Sequence, residues 1–319
     1  MGFLSWLLKG RGHDVDELAR RLGIEPIREK RVRRREARPE GVQETGLRGF
    51  QPRYREFTIP KRSGGTRRIL APADDLKSLQ RTILRRLLGR LRAHPAAMGF
   101  ERGRSIVTNA RAHQGQAVVL RFDLVDFFPS TRAKRLRAYF RRIGWNRPAT
   151  KLLLRLCTYE GGLPQGAPTS PRLSNLVNYR LDARLSGMAR RLGAVYTRYA
   201  DDITISFAAD DRAKVHYIQG FLRRVVSEEG YKVHHRKKLS IRRRHQRQVV
   251  TGLVVNASVS LPRPLRRWLR AVEHRYRVQE RGLAGYQPFS GPSPKKPTLS
   301  ASQLQGWQAL RAMVAKEPP

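Results

Sequence analysis

The stretch Val195-Tyr196-Thr197-Arg198-Tyr199-Ala200-Asp201-Asp202-Ile203-Thr204-Ile205-Ser206-Phe207 decides the fold. β-branched and aromatic residues alternate on both sides of Ala200-Asp201-Asp202, which predicts two strands joined at an acidic tip. Asp is a common turn residue, so the tip alone reads equally well as a polar turn. Two adjacent carboxylates repel each other, however, and a cation between them removes that cost. Upstream, Ala117-Val118-Val119-Leu120-Arg121-Phe122-Asp123 predicts a buried strand ending on a third carboxylate. Carboxylates from two strands can hold two Mg²⁺ ions about 3.5–4 Å apart, an arrangement that serves phosphoryl transfer to a 3′-hydroxyl. Mg²⁺ keeps waters and substrate phosphates as ligands, so a sparse carboxylate set suits it.

The surroundings of these acids are strongly basic. The 319 residues carry 66 Lys+Arg against 25 Asp+Glu, a formal net charge of +41. Such self-repulsion is relieved by a polyanion, and nucleic acid gains further from counterion release. A membrane surface is disfavoured, because Arg is spread along the whole chain instead of facing one apolar helix. The single cysteine, Cys157, lies in an apolar run and excludes a disulfide framework or a thiolate zinc site. It is read as a buried structural residue in a protein of the reducing cytoplasm. The apolar stretch at residues 1–9 is too short for a signal peptide or a span, and predicts a small amphipathic helix.

Asp14 to Gly23 predicts a short capped helix, followed by the basic run 28–38 and the Pro39-Glu40-Gly41 linker. Residues 55–60 and 67–72 predict a basic hairpin turning at Ser63-Gly64-Gly65. Leu76, Leu79, Ile83, Leu87 and Leu91 repeat at helical spacing, and Leu173, Leu176, Leu181, Leu185 and Met188 mark another helix. Val215, Ile218, Leu222 and Val225 give one more, closed by Gly230. Leu265, Leu269, Val272 and Tyr276 predict a basic helix before a Pro/Ser/Lys-rich connector and a helix around Trp307. The irregular order of strands and helices indicates an α+β core.

Three segments occur in a telling order: Asp123-Leu124-Val125-Asp126-Phe127-Phe128-Pro129-Ser130, then Gly162-Leu163-Pro164-Gln165-Gly166-Ala167-Pro168, then Tyr199-Ala200-Asp201-Asp202. They resemble motifs A, B and C of the reverse transcriptases. Gly230 to Lys238 resembles motif D, Val249 to Asn256 motif E, and Ile59 to Arg67 the fingers motif. The resemblance runs from about Tyr54 to Arg267, roughly two thirds of the chain. It implies a right-hand polymerase fold: an N-terminal basic helical extension (1–50), fingers (51–116), a palm of antiparallel sheet plus helices (117–260), and a small helical thumb with tail (261–319).

By the same resemblance, Asp123, Asp201 and Asp202 are the catalytic carboxylates. With the backbone carbonyl of Leu124 they would hold two Mg²⁺ ions, Mn²⁺ being a possible substitute. Lys61 and Arg67 would clamp the triphosphate, with Asp126, Phe127 and Phe128 bordering it. Phe128 stands at the steric-gate position that excludes a ribose 2′-OH, and Phe127 reads better as a core aromatic. Gln165 would meet the incoming nucleotide, Gly166 would admit its close approach, and Lys237 would be the motif D lysine. Arg62 and Arg68 read as solvated hairpin cations.

Asn109-Ala110-Arg111-Ala112-His113 matches the NAxxH signature of retron reverse transcriptases, and Val250-Thr251-Gly252 their VTG signature. The retron resemblance implies RNA-binding roles for Asn109, His113, Val250, Thr251 and Gly252, joined by Arg266 and Arg270 on the thumb helix. His113 could equally be a packing residue, and Trp268 reads as core. The implied partners are a cognate structured non-coding RNA, its DNA product, deoxynucleoside triphosphates and a separate effector protein, with no membrane. The implied product is branched multicopy single-stranded DNA, in antiphage defence. Another bacterial reverse transcriptase, or a catalytically idle RNA-binding relative, is the alternative. His234 and His235 depart from the Asn and Pro that relatives often carry.

Overall fold

A computed structural model describes residues 12–24, 49–61, 64–234, 240–280 and 300–315. The elements run α1 (Val15–Leu22), β1 (Tyr54–Pro60), β2 (Thr66–Pro72), α2 (Asp74–Ile83), a π-helical turn (Leu84–Leu88), α3 (Ile106–Arg111) and β3 (Val118–Asp123). Then follow α4 (Phe127–Ser130), α5 (Ala133–Arg142), α6 (Arg147–Cys157), α7 (Ser170–Val177), α8 (Tyr179–Arg191), β4 (Ala194–Tyr199) and β5 (Asp202–Phe207). The chain continues with α9 (Arg212–Glu228), β6 (Ser240–Arg243), β7 (Val249–Val250), β8 (Leu253–Val254), α10 (Arg263–Glu280) and α11 (Ala301–Ala315). The predicted α+β class holds. The basic run 28–38, the expected helix at residues 1–9, Arg62, His235 and Lys237 lie outside the described residues.

The central sheet has the antiparallel order β4-β5-β3-β6. Strand alternation sends Val118, Leu120, Phe122, Ile203, Ile205 and Phe207 to one face, where they pack on α8 and α9. Complete burial of each such side chain is worth about 1.5–3 kcal/mol, which fixes the register. A one-residue slip would turn these side chains out and the acids in. The opposite face carries Val119 toward a second core built with α3, β7–β8 and α10. A third core joins α1, α2, α5, α6 and α7.

Local chemistry explains the boundaries. Asp14 accepts a bond from the Glu17 N–H at 2.8 Å, and Gly23 closes α1 at φ 72°. The single helix expected from Leu173 to Met188 is two, parted at Asn178. The Asn178 side chain donates to the Ser174 carbonyl at 2.9 Å and to the Tyr231 hydroxyl at 2.9 Å, competing with the regular ladder. The helix after β2 also changes character, because its last turn is π-helical. Cys157 is buried as expected, and burial pushes its thiol up to about 12. No helix among the described residues is long and apolar enough to cross a membrane.

Candidate active site

The hairpin register places Asp123 directly opposite Asp202, with Asp201 one residue away at the tip. Directly paired residues on one sheet face have Cβ atoms about 4.5–5.5 Å apart, so these two carboxylates share a face and a small space. The tip is held by backbone. The Leu124 N–H donates to the Asp201 carbonyl at 3.0 Å, while the Asp123 carbonyl accepts from the His234 N–H at 2.9 Å. Because amide directions alternate along a strand, the Leu124 carbonyl faces the hairpin side, next to Asp201. Ala200 turns the corner at φ 56°.

Below the tip lies a network that composition alone does not announce. Arg198 and Asp182 are fully buried and joined by two parallel bonds, Nε to Oδ1 at 2.8 Å and Nη2 to Oδ2 at 2.7 Å. The Tyr196 hydroxyl adds a bond to Asp182 at 2.7 Å. The other end of the guanidinium, Nη1, donates to the Ala200 carbonyl at 3.1 Å and to Asn175 at 3.2 Å. The acidic tip therefore stands on a buried ion pair.

A second arginine was missed. Arg121 reaches Asp202 with Nη2 to Oδ2 at 2.5 Å. It sits two residues before Asp123, so the period of the strand puts both on one face, and that spacing was the available signal. Its positive charge offsets the repulsion between the acids that the sequence exposes.

A cleft of about 1000 Å³ opens over the acids. Asp123, Leu124, Asp126 and Asp201 line its base, Phe127, Phe128 and Gln165 its sides, and Lys61 and Arg67 the wall beside the β1–β2 hairpin; Asp202 is not among its lining residues. Lys61, Arg67, Asp126, Phe127, Phe128 and Gln165, six of the residues foreseen for nucleotide binding, thus meet in one space. Phe127 is buried and stacks on Tyr231, as a core aromatic should, whereas Phe128 is half-buried beside Phe100.

Three expectations change. Gly166 does not line the cleft; a Cβ there would meet the Leu70 carbonyl at 2.8 Å, so its bareness serves the packing of this loop on β2. The adjacent Leu70 N–H donates to the Gln165 carbonyl at 2.8 Å. Arg68 is exposed, as expected, but it is paired as well as solvated, binding Glu56 by two bonds and Glu160 at 2.8 Å. His113, Asn109 and Val250 are buried, so their side chains have no surface for RNA. His113 instead bridges the Ser206 and Thr197 hydroxyls at 2.7 Å each, and burial pushes its imidazole down to about 3. Thr251, at φ 46°, bonds the Ile106 carbonyl of α3 at 2.9 Å, so the two short signatures form one packed joint. Thr251 is half-buried, while Gly252, Arg266 and Arg270 are exposed. Trp268 packs edge-to-face on Trp307.

A family model described as "Reverse transcriptase (RNA-dependent DNA polymerase)" matches residues 59–250, which takes in the hairpin, the B loop and the acidic tip. Retron Mx65 reverse transcriptase of Myxococcus xanthus is 43% identical over 266 residues, covering 75% of this chain and 62% of that protein. Retron Ec86 reverse transcriptase of Escherichia coli is 40% identical over 225 residues, covering 70% and 69% respectively. The chain belongs to the retron reverse transcriptase family. It spans less than two thirds of the Myxococcus relative's length. Among solved structures, telomerase from Candida albicans aligns over 75% of this chain and 52% of its own at 11% identity and a TM-score of 0.48. As a retron reverse transcriptase the chain has the right-hand polymerase fold, with the antiparallel sheet β4-β5-β3-β6 as its palm.

Family membership implies dependence on a divalent metal ion. The donors at the tip fit a hard cation, being carboxylate and carbonyl oxygens alone. Among the described residues no cluster of three His, Cys, Asp or Glu forms a ready metal cage.

Proposed function

We propose that the chain is an RNA-directed DNA polymerase of the retron type, with Asp123, Asp201 and Asp202 as its catalytic carboxylates. The observation that carries this is a cleft whose base holds Asp123 and Asp201 and whose wall holds Lys61 and Arg67, with Asp202 paired to Asp123 in the strand register beside it. Fingers would span 51–116, palm 117–260 and thumb 261–319, after a basic extension over 1–50.

The three carboxylates and the Leu124 carbonyl would hold two Mg²⁺ ions, or Mn²⁺ in their place, supplying Lewis-acid activation of the 3′-hydroxyl and charge neutralisation at the phosphates. Lys61 and Arg67 bind the triphosphate, Arg67 by a two-pronged contact. Phe128 occupies the space a ribose 2′-OH needs and so favours deoxynucleotides. Gln165 contacts the incoming nucleotide, and Asp126 borders its phosphates. The 3′-hydroxyl gives up its proton to solvent as its oxygen bonds the α-phosphorus, the bond from that phosphorus to the bridging oxygen breaks, and Lys237 protonates the departing pyrophosphate. Arg121 fixes the Asp202 carboxylate by its bond to Oδ2.

The template would be a cognate structured RNA, contacted by Gly252, Thr251, Arg266 and Arg270. Asn109, His113 and Val250 support that surface from inside. The product would be branched multicopy single-stranded DNA made in the cytoplasm, and a separate effector protein would join it in antiphage defence. Primer extension with deoxynucleotides on an RNA template tests the chemistry. Asp201→Asn and Asp202→Asn should each lower incorporation by at least about a thousandfold, since each removes transition-state charge stabilisation. Equal incorporation by wild type and variants would refute the assignment.

A further inference from the structure

Away from the catalytic cleft, a second cavity of about 630 Å³ lies where α1 meets the π-helical turn. Arg21, Arg85, Arg86 and Arg90 line it together with the apolar floor of Leu87, Leu91 and Ile143. No acidic residue is among its lining residues. Among the described residues, Arg85, Arg86 and Arg90 make no ion pair with a carboxylate, unlike Arg68, Arg121 and Arg198. Three uncompensated guanidiniums around one concavity repel each other, a cost that persists unless an anion enters.

The cavity is held in shape. The π-helical turn is an uncommon device that widens the helix, and such turns are frequent at functional sites. The Arg86 guanidinium lies over Gly23, where a Cβ would meet Nη1 at 2.0 Å, so the bare αL cap of α1 makes room for it. Arg21 stacks on Trp145 at 5.3 Å and binds Glu17. From behind, Arg172 of α7 bonds the Leu88 and Leu91 carbonyls, fixing the far rim.

We propose that this cavity is an anchoring site for one nucleotide of a single-stranded nucleic acid, with its phosphates on Arg85, Arg86 and Arg90 and its base on Leu87, Leu91 and Ile143. The volume falls in the range of sites for one small ligand, larger than an aspartate or glutamate side chain fills. Guanidiniums match phosphate by paired bonds, and the apolar floor matches the flat face of a base. A duplex keeps its bases stacked and cannot offer one to a recess, so an unpaired segment is the ligand. The site rests on the proposed use of a structured RNA and deepens it, adding a contact remote from the catalytic cleft.

The test uses the full chain and labelled 12-nucleotide single strands, RNA in one arm and DNA of the same sequence in the other, with binding read by fluorescence anisotropy across a salt series. Arg85→Gln/Arg90→Gln should weaken binding about tenfold, and should lower the salt slope by about 1.4 for two lost phosphate contacts on a single strand. Loss with RNA alone identifies the template RNA as the source, and loss with DNA alone the product strand; either supports the site. Arg190→Gln/Arg191→Gln, an exposed pair elsewhere, is the charge-matched control and should leave both unchanged. Extension of a pre-annealed primer–template should be the same in all three proteins, which separates this site from polymerase activity. Equal weakening by the control pair, or unchanged binding in the pocket variant, would overturn the proposal. Weakened binding of a glutamate-rich peptide with nucleic-acid binding intact would overturn it in favour of a protein partner.

Discussion

Replacing Asp182 by Asn leaves the Arg198 side chain in place and removes the charge that balances it. Both side chains have no exposed surface, so neither water nor salt can compensate. Breaking a buried pair from one side costs about 3–5 kcal/mol, chiefly because the remaining charge stays desolvated. Spread over a core of this size, that corresponds to a midpoint lower by about 10 °C. Asp182→Leu/Arg198→Met removes both charges and should recover most of the stability, because an apolar pair of similar volume suffers no desolvation. It does not recover the bond from Arg198 to the Ala200 carbonyl, which holds the turn carrying Asp201 and Asp202. Primer extension by the double variant should therefore stay at least about tenfold below wild type, since displacements near 1 Å can cost a hundredfold. Urea unfolding followed by tryptophan fluorescence reads the first quantity, and extension on an annealed RNA template the second. A loss below about 1 kcal/mol in Asp182→Asn, or full activity in the double variant, would refute the view that this pair supports the tip.

Three further outcomes are expected. His113 has its folded pKa depressed to about 3 against 6.5 when free, so the unfolded chain takes up a proton between those values and the folded chain does not. Stability should thus fall as pH drops below 6.5, by up to about 1.4 kcal/mol per unit, and His113→Gln should flatten that slope in urea titrations at pH 4.5–7. Phe128→Ala should raise ribonucleotide incorporation relative to deoxynucleotide at least about tenfold in single-nucleotide extension assays, and unchanged discrimination would remove Phe128 from the gate. Cys157, buried with its thiol pushed up to about 12, should resist iodoacetamide at pH 7.5 in the folded protein and react in urea, as mass spectrometry would read.

The sheet and the acidic tip were legible because alternation and a carboxylate pair are local signals, and Asp123 followed from a buried strand ending on an acid. Partnerships were less legible. Arg198 and Asp182 sit 16 residues apart on different elements, and only the packing of α8 under β4 brings them together. The break at Asn178 was hidden because the leucines on both sides keep helical spacing across it. The π-helical turn left a trace: Leu79, Ile83, Leu87 and Leu91 step by four three times, which outruns a 3.6-residue period until a wider turn absorbs the drift. The Asn109–His113 and Val250–Gly252 signatures were recognisable as patterns, but burial, which no pattern states, makes much of them joinery instead of contact surface.

The hairpin β1–β2 is fastened to the loop before α7 twice, by the Leu70–Gln165 backbone bond and by the Arg68–Glu160 ion pair. Lys61 and Arg67 ride on the same hairpin as these fasteners. The groups proposed to hold phosphate and the residue proposed to meet the incoming nucleotide are consequently mounted on a single lever. Under those proposed roles, a nucleotide that seats poorly against Gln165 would displace its own phosphate clamp, making selection of the nucleotide and commitment of its triphosphate one mechanical event.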